Sequence, residues 1–367
     1  MAHNPDVLVV GGGIVGAAIA YRLAKDGLAV TLVERGEIGR EASWAAGGLL
    51  TPVHLAEYPG PLAELCKAGH RLYEPLVREL REFSSIDPEY RANGLLFPVT
   101  DDGDEDAVRA LEAWKRQNDQ PAERLTRIEA LEREPRLNSA IRGALLLPDI
   151  AQVRSNRMAV ALVEAAARKG AEIRTHCPVT GFLRVPGRVN GAKTARGDLY
   201  AATTILAAGA WTTELLDPVG LNLRVKPIKG QMILVGASPD FCRHSILDGA
   251  SYLIPRADGK ILVGSTLEDK GFDKSVTLDA VGSLIERGAR IMPDLARLPL
   301  LASWAGLRPS TPDRLPYLGR ASLEGLIVAT GHFRNGILLA PITAELVADL
   351  VAGRTPSIDL APFDPAR

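Results

Sequence analysis

Glycines close to the beginning of the chain are spaced for binding a dinucleotide. Gly11, Gly13 and Gly16 fit the pattern G-x-G-x-x-G. The first glycine of that pattern allows a tight turn, the second lets backbone approach a pyrophosphate, and the third lets a helix pack closely on a strand. Free N–H groups at the start of the helix then face the phosphates. The spacing predicts a site for NAD or FAD, and the glycines alone do not decide between the two.

An acidic residue follows at the distance expected for a ribose contact. Glu34 stands about twenty residues after the motif, where a carboxylate accepts hydrogen bonds from ribose hydroxyls. This favours an adenosine with a free 2′-hydroxyl over a 2′-phosphate, although the neighbouring Arg35 slightly weakens that exclusion.

These residues need a strand, a tight turn, a helix and a second strand to hold them. The run 5–10 is apolar and stops at the glycines, as in a buried parallel strand. Ile19 and Leu23 then lie one turn apart on the same face of a predicted helix, and a second apolar run, 28–33, follows. This order is the context that the glycine motif requires. We therefore prefer a dinucleotide site to the alternative, a βαβ unit that binds no ligand.

Length and charge limit the class of protein. At 367 residues the chain is longer than one compact core usually supports, so we expect two domains. A net charge of −1 gives no reason to expect nucleic acid or an anionic membrane as a partner. No apolar run approaches the roughly 18 residues that span a bilayer, and no basic leader precedes the first strand. We expect a cytoplasmic protein.

Cysteine and histidine show no metal-binding pattern. Cys66, Cys177 and Cys242 are far apart and in no C-x-x-C spacing, which favours reduced thiols over a disulfide or a metal site. The histidines form no local ligand pattern either. We therefore expect no metal.

The β/α pattern is interrupted twice by stretches that are mainly antiparallel in character. The second interruption includes a hairpin signature at residues 257–259. We assign the interruptions to a substrate-binding domain, 87–143 and 224–303, and the rest to a discontinuous dinucleotide-binding domain, 1–86, 144–223 and 304–367. The predicted fold class is α/β, with a Rossmann-like domain and a second, mainly antiparallel β-sheet that lies over the cofactor and forms the substrate site.

Several helix boundaries can be predicted from capping residues. Thr126 and Glu129 have the spacing of a capping box. Ser155 is the expected N-cap of one helix, and Pro341 is expected in the first turn of the last helix.

Small residues occur where backbone could contact a cofactor. The stretch 43–49 could line the dinucleotide or could equally be the start of an alanine-rich helix. The stretch 203–211 reads as a buried strand that ends in small residues at its carboxyl end, where ligands bind in open α/β sheets.

Motifs along nearly the whole chain resemble the D-amino-acid oxidase family, and within it the glycine oxidases associated with thiazole synthesis in thiamine biosynthesis. They are GGGIVG, VER, ASWAAGGLLTP, ILAAGAW, SYLIPR, WAGLRPSTPDRLPYLG and GHFRNGILLAPIT, of which the last two are the most specific. The resemblance implies FAD as the cofactor and a homo-oligomer, a tetramer. Sarcosine-oxidase relatives that bind flavin covalently use a cysteine, and the C-terminal flavin segment here has none. Noncovalent FAD is therefore expected.

The resemblance also implies roles for particular residues. Arg308, in GLRPSTPD, resembles the arginine that binds the substrate carboxylate, and Tyr252, in SYLIPR, resembles a tyrosine lining that site. Arg334, in GHFRNG, resembles a second substrate-side arginine beside the flavin. Gly48 stands where many relatives have methionine. Cofactor contacts beyond the motif glycines are implied for Ile14, Val15, Glu34, Arg35, Ala42, Ser43, Gly47, Gly48, Leu49, Val179, His332, Phe333, Arg334, Asn335, Gly336, Ile337 and Leu338.

The implied activity is oxidative deamination of glycine by molecular oxygen to glyoxylate, ammonia and H2O2. It would proceed by hydride transfer to flavin N5 and could supply imine for thiazole synthesis. Arginine suits a carboxylate substrate because its planar fork makes two parallel charge-assisted hydrogen bonds. No general base is required if the amine binds in its neutral form.

Other interpretations of these residues remain open. The enzyme could be an oxidase or dehydrogenase of sarcosine, small D-amino acids or cyclic secondary amines, or a flavin-binding protein without catalysis. Arg308 could instead form an ion pair with Asp313 or another carboxylate, and Tyr252 could be a packed hairpin aromatic.

Overall fold

The computed structural model describes residues 4–51 and 60–367. Its strands are β1 Val7–Val10, β2 Val30–Val33, β3 Leu49–Leu50, β4 Leu95–Val99, β5 Glu123–Thr126, β6 Gly143–Leu147, β7 Ala151–Gln152, β8 Glu172–Arg174, β9 Val179–Val185, β10 Arg188–Thr194, β11 Gly197–Tyr200, β12 Thr203–Leu206, β13 Lys226–Gly236, β14 Ser245–Asp248, β15 Ser251–Pro255, β16 Lys260–Gly264, β17 Leu300–Ser310, β18 Tyr317–Arg320 and β19 Leu326–Thr330. Its helices are α1 Ile14–Lys25, α2 Ala42–Ala45, α3 Pro61–Phe83, α4 Asp102–Gln117, α5 Arg127–Arg133, α6 Ser155–Arg168, α7 Thr212–Leu216, α8 Leu278–Ile291 and α9 Gly336–Val351.

A six-stranded sheet forms the predicted Rossmann-like part. Its strand order is β18-β19-β12-β1-β2-β8, and neighbours are parallel except that β18 runs antiparallel to β19. Every residue of β1 and β2 is buried, as the apolar runs at 5–10 and 28–33 predict. Helix α1 packs against α6 and α9, and α3 packs against α9.

A second sheet of eight strands forms the other half of the molecule. Its order is β17-β13-β16-β15-β14-β4-β6-β5, with antiparallel pairing except between β14 and β4. Helix α8 buries Leu284 and Ile291 in a cluster with Ile233 of β13 and Val263 of β16. The predicted fold class, a Rossmann-like domain with a second and mainly antiparallel sheet, is confirmed. Two smaller sheets, β11-β10-β9 and β3-β7, complete the topology of the described residues.

Two predicted domain boundaries cut through strands of the second sheet. The boundary at residue 144 falls within β6, which pairs with β4 and β5. The boundary at 304 falls within β17, which pairs with β13 along almost its full length. We place β6 and β17 in the second, eight-stranded sheet, which we call the substrate sheet. The division into domains otherwise stays a prediction.

Local predictions had mixed outcomes. Thr126 and Glu129 form the capping box, and residues 257–259 connect the antiparallel pair β15 and β16. Ser155 is the first residue of α6 and not its N-cap, because its hydroxyl donates to the Ala46 carbonyl. Pro341 lies inside α9, beyond the first turn.

The placement of Pro341 has a structural consequence. Proline has no N–H, so the carbonyl four residues earlier, that of Ile337, loses its helical donor. The buried Tyr73 hydroxyl of α3 donates to that carbonyl instead.

The described helices include none with the length and apolar character needed to cross a bilayer. Cys66, Cys177 and Cys242 are buried, and none forms a disulfide.

Candidate functional site

One cavity between the two sheets collects almost all the predicted site residues. Of the residues implied as substrate or cofactor contacts, every one except Gly16 lines this cavity. A Cβ at Gly16 would lie 1.9 Å from the Gly11 carbonyl oxygen, so the glycine is needed for close packing of α1 on the turn after β1. Gly16 therefore has the packing position that the third glycine of the motif predicts, one layer behind the cavity.

The predicted phosphate-binding end of the cavity is lined by the amino terminus of α1. Gly11 has φ +109°, and a Cβ there would lie 2.5 Å from the Ala207 carbonyl oxygen. The Ile14 N–H at the start of α1 donates to Ser43 Oγ at 2.9 Å. The helix amino terminus concentrates N–H donors and partial positive charge at this end.

Glu34 is held in a defined orientation at the end of β2. Its Oε2 accepts from the Gly12 N–H at 2.7 Å and its Oε1 accepts from the Gly36 N–H at 2.9 Å. A carboxylate has about four lone-pair sites, so acceptor capacity is left for ribose hydroxyls.

Arg35, next to Glu34, is committed to other partners. Its guanidinium carbon lies 3.7 Å from the centre of the Trp211 ring, and its Nη2 is 2.9 Å from Glu41 Oε1. Arg35 is thus turned toward an aromatic face and a carboxylate, which leaves the preference for a free 2′-hydroxyl in place.

Val179 also lines the cavity, together with Cys177 and Pro178.

The small-residue stretch 43–49 combines its two alternative interpretations. A helix is present, but α2 has only four residues, and the chain beyond it lines the cavity through Gly47, Gly48 and Leu49. A Cβ at Gly306 of β17 would lie 2.4 Å from the Ala45 Cβ. The small residues therefore let β17 of the second sheet approach the stretch 43–49 closely.

Residues 332–338 line the cavity, and they include the first three residues of α9, so the amino terminus of α9 lies at the cavity. His332 is buried, and its Nε2 lies 3.0 Å from Thr343 Oγ1. Burial lowers the pKa of His332 to about 4, so its imidazole is neutral at physiological pH. The α9 terminus contributes a positive dipole end without adding a charged imidazole.

Arg308, on β17, extends its guanidinium across Gly230 of β13. A Cβ at Gly230 would lie 2.1 Å from Arg308 Nη1, so only glycine leaves room for the guanidinium. Nη2 donates to Ser265 Oγ at 2.7 Å and Nη1 donates to the Thr266 carbonyl at 3.3 Å. Burial lowers the pKa of Arg308; Tyr252 opposes this effect and the like charge of Arg334 adds to it.

The ion pair considered as an alternative for Arg308 does not form. Asp313 pairs with Arg367 instead, with 2.8 Å between Asp313 Oδ2 and Arg367 Nε. Among the described residues Arg308 contacts no carboxylate within ion-pair distance. Its guanidinium lines the cavity, where its remaining donors can bind an anion.

Tyr252, on β15, lines the cavity next to Arg308. A Cβ at Gly264 would lie 2.6 Å from the Tyr252 ring, and one at Gly47 would lie 3.3 Å from it. The hydroxyl lies 3.6 Å from Met232 Sδ. Tyr252 is half-buried, so its ring packs between two glycines while its edge stays in the cavity.

Arg334 is exposed, with its guanidinium carbon 5.7 Å from the Phe333 ring centre, and its charge acts on Arg308. The cavity is therefore lined by two guanidinium groups as well as by the amino termini of α1 and α9.

Several lining residues were not identified from the sequence. Trp211, Met232 and Ser265 line the cavity without having been assigned roles. Met232 lies two residues after Gly230 on the same face of β13, so alternation along that strand could have found it. Ser265 follows β16 and only the fold brings it to Arg308.

The residues present fit FAD. The glycines keep the turn after β1 open, Glu34 is presented for a ribose, and Arg308 has no counterion of its own within the described structure. A long cavity that joins a dinucleotide end to a cationic end matches a dinucleotide cofactor and an anionic substrate.

Comparison with known proteins agrees with this geometry. Residues 6–350 match the family described as FAD dependent oxidoreductase. The chain is 43% identical over 363 residues to a glycine oxidase from Pseudomonas aeruginosa and 40% identical over 364 residues to one from Pseudomonas putida. These alignments cover 98% and 99% of this chain, respectively, and 98% of each relative.

A solved structure shows the same fold. The crystal structure of glycine oxidase from Geobacillus kaustophilus has a TM-score of 0.95 and 37% identity, covering 100% of this chain and 99% of that one. We conclude that the chain belongs to the family of FAD-dependent oxidoreductases, within its amino-acid oxidases, and uses FAD as its cofactor.

Proposed function

We propose that the protein oxidises glycine with O2 and water to glyoxylate, ammonia and H2O2. The observation that carries this proposal is Arg308, a half-buried guanidinium that faces the cavity with no carboxylate partner among the described residues. A small substrate with a carboxylate would supply that partner. Similarity to glycine oxidases over nearly the full chain supports glycine as the substrate.

Arg308 binds and orients the substrate in this proposal. Ser265 Oγ and the Thr266 carbonyl hold one edge of the guanidinium, so the remaining donors keep a fixed direction. Two parallel hydrogen bonds to a carboxylate restrict how the substrate can rotate, and this restriction places the α-carbon. Tyr252 closes the same end and limits the room for a side chain on that carbon.

Proton handling requires little from the chain. A glycine that binds as the neutral amine can lose its α-hydrogen without a protein base, and its nitrogen lone pair stabilises the imine that forms. FAD held by the cavity would supply a two-electron acceptor for that hydrogen, as a hydride, and O2 would be the final oxidant. Water then hydrolyses the released imine to glyoxylate and ammonia. Buried His332 is neutral and bonded to Thr343, so it adds no charge beside the reacting carbon.

The visible spectrum of the purified protein before and after anaerobic addition of glycine tests this function. We expect a yellow protein that bleaches with glycine and regains its colour when air is admitted. Bleaching only by sarcosine, a small D-amino acid or a cyclic secondary amine would contradict glycine and support one of those substrates. Bleaching by none of them would support a flavin-binding protein without catalysis.

Further features of this function also stay predictions. FAD is expected to be noncovalent because residues 332–338 contain no cysteine, so acid precipitation should leave flavin in solution. A homotetramer is expected in solution and can be checked by light scattering. The resemblance further predicts that the imine product serves thiazole synthesis.

A further inference from the structure

The backbone at residues 46–48, within the cavity-lining stretch 43–49 that we call the cofactor segment, has an unusual arrangement of carbonyl groups. The Ala46 carbonyl accepts from Ser155 Oγ at 2.6 Å, and the Gly47 carbonyl accepts from Arg256 Nη2 at 2.7 Å. The Gly48 carbonyl accepts from the Val153 N–H at 2.9 Å. Three successive carbonyls are therefore each bound by a protein donor, one from α6, one from the residue after β15 and one from the residue after β7.

The N–H groups of this segment are directed by those contacts. In a planar trans peptide the N–H points opposite to the carbonyl of the preceding residue. Fixing the Ala46 carbonyl therefore directs the Gly47 N–H, and fixing the Gly47 carbonyl directs the Gly48 N–H. Neither N–H has an acceptor within the part of the chain that the structure describes, and both glycines line the cavity. Gly48 is buried, and a buried N–H without an acceptor is costly, which indicates that a ligand supplies the acceptor at that position.

Glycine is required for this conformation at residue 48. Gly48 has φ +77°, and a Cβ there would lie 2.0 Å from the Val153 carbonyl oxygen.

Arg256 supplies the contact that comes from the substrate sheet. It follows β15, is 8% exposed, and spreads three hydrogen bonds over Gly47, Gln152 and Val153. Its Nη1 lies 2.8 Å from Gln152 Oε1 and 3.1 Å from the Val153 carbonyl. Burial lowers the pKa of Arg256 to about 10, and the nearby positive charge of Arg154 also lowers it.

The nearby Arg154, and not Arg256, forms ion pairs with carboxylates. Arg154 pairs with Glu89 and Asp258, with N–O distances of 2.9 Å and 3.0 Å. Among the described residues Arg256 is bound only by carbonyl and amide oxygens, so its geometry and not a charge pair explains its burial.

We propose that Arg256 is a positioning residue for the cofactor: by binding the Gly47 carbonyl it directs the Gly48 N–H into the cavity as a donor to bound FAD. Because Arg256 adjoins the strand of Tyr252, it also sets the spacing between the substrate sheet and the cofactor segment. The proposal rests on FAD binding in this cavity and is independent of which amine is oxidised.

The test compares the FAD-loaded wild type with Arg256→Met, Arg256→Lys and Ser155→Ala. The readouts are the dissociation constant of FAD and the visible circular dichroism of the bound flavin, which reports the surroundings of the ring. Arg256→Met should raise the dissociation constant by roughly ten- to a hundredfold and alter the dichroism, since a hydrogen bond to a charged group is lost. Arg256→Lys should fall between it and the wild type, because an ammonium can hold Gly47 but lacks the fork that also holds Gln152 and Val153.

Two further variants separate positioning from general stability. Ser155→Ala frees the neighbouring carbonyl and should shift both readouts in the same direction by a smaller amount. Glu134→Ala is the control, because Glu134 is a buried residue at the end of α5 that binds the Arg243 and His244 N–H groups away from the cavity. It should lower Tm and leave the FAD dissociation constant unchanged.

The outcomes are decisive in each case. If Arg256→Met does not fold, weaker FAD binding and altered dichroism in both Arg256→Lys and Ser155→Ala still support the proposal. Wild-type FAD affinity and dichroism in those two variants would overturn it, as would an Arg256→Met protein that loses Tm alone, like the control. None of these readouts uses turnover of glycine, so a wrong substrate assignment would leave them unaffected.

Discussion

The two ends of the cavity are built in different ways. The predicted phosphate and ribose end has backbone N–H groups and one carboxylate, all from β1, the turn after it, α1, β2 and the residues that directly follow β2. The predicted substrate end has side chains from three strands, with Arg308 on β17, Tyr252 on β15 and Met232 on β13. A backbone site can be written as a short motif, whereas a side-chain site depends on the register between distant strands. The comparison predicts that substitutions at one end change FAD binding and at the other change substrate binding.

The largest effect is expected for Arg308→Met. It removes two charge-assisted hydrogen bonds and leaves the substrate carboxylate without a partner, which costs about 2–5 kcal/mol. We expect a strongly raised KM for glycine with unchanged FAD content, and a lower kcat if the α-carbon loses its alignment. Arg308→Lys, which keeps the charge without the fork, should fall between the two.

Steady-state kinetics with flavin absorbance as the control decide this prediction. An Arg308→Met enzyme with wild-type kcat/KM would show that the carboxylate is bound elsewhere, and Arg334 would be the first candidate. A loss of FAD with no change in glycine binding would break the division between the two ends.

The next effect is the pH dependence of folding stability that His332 contributes. Burial lowers the pKa of His332 to about 4 from 6.5, so the unfolded chain takes up a proton between those values that the folded chain does not. Its contribution to stability is complete above about pH 6.5 and is lost as pH falls toward 4, by at most about 3 kcal/mol.

Unfolding of the wild type and of His332→Asn at several pH values measures this contribution. The difference in unfolding free energy between them should shrink as pH falls from about 7 to about 4. A difference that stays constant over this range would show that His332 titrates normally in the folded protein.

A smaller effect is expected for Gly16→Ala, which disturbs the packing of α1 at the predicted phosphate end. Gly16→Ala places a Cβ against the Gly11 carbonyl, so α1 must shift from β1 at a cost of about 1–3 kcal/mol. We expect a lower Tm and weaker FAD binding, with the KM for glycine unchanged in FAD-saturated enzyme. Ala17→Gly, on the same helix, is a control that removes bulk without creating a contact. Full FAD affinity in Gly16→Ala would be inconsistent with tight packing at the motif.

The smallest effect is expected for Glu34→Ala. Loss of a charged acceptor for the ribose should weaken FAD binding by about tenfold, near the lower end of the range of about 1.5–3 kcal/mol that a hydrogen bond to a charged group contributes. Turnover at saturating FAD should be close to that of the wild type. A turnover defect that excess FAD does not restore would remove the ribose role and would blur the distinction between the two ends.

The predictability of the two ends from sequence follows the same division. The turn at Gly11, the helix after it and the acidic residue at position 34 are local features, and the fold has each of them where the spacing places it. Ser155 and Pro341 show the limit of local rules, because both were placed as helix-terminal residues and tertiary partners gave them other positions. Ser155 instead binds the Ala46 carbonyl, a contact across 109 positions in the chain.

The amino-acid sequence by itself determined the dinucleotide-binding unit, the presence of two sheets and the positions that resemble an amino-acid oxidase. Tertiary structure alone decided which residues contact Arg308. They are Gly230, Ser265 and Thr266, while Asp313 pairs with Arg367 instead. It also decided where the strands of the substrate sheet end and how Arg256 reaches Gly47. The physical reason is that periodicity and turn chemistry act over a few residues, whereas strand register and the choice of an ion-pair partner depend on segments that meet only after folding.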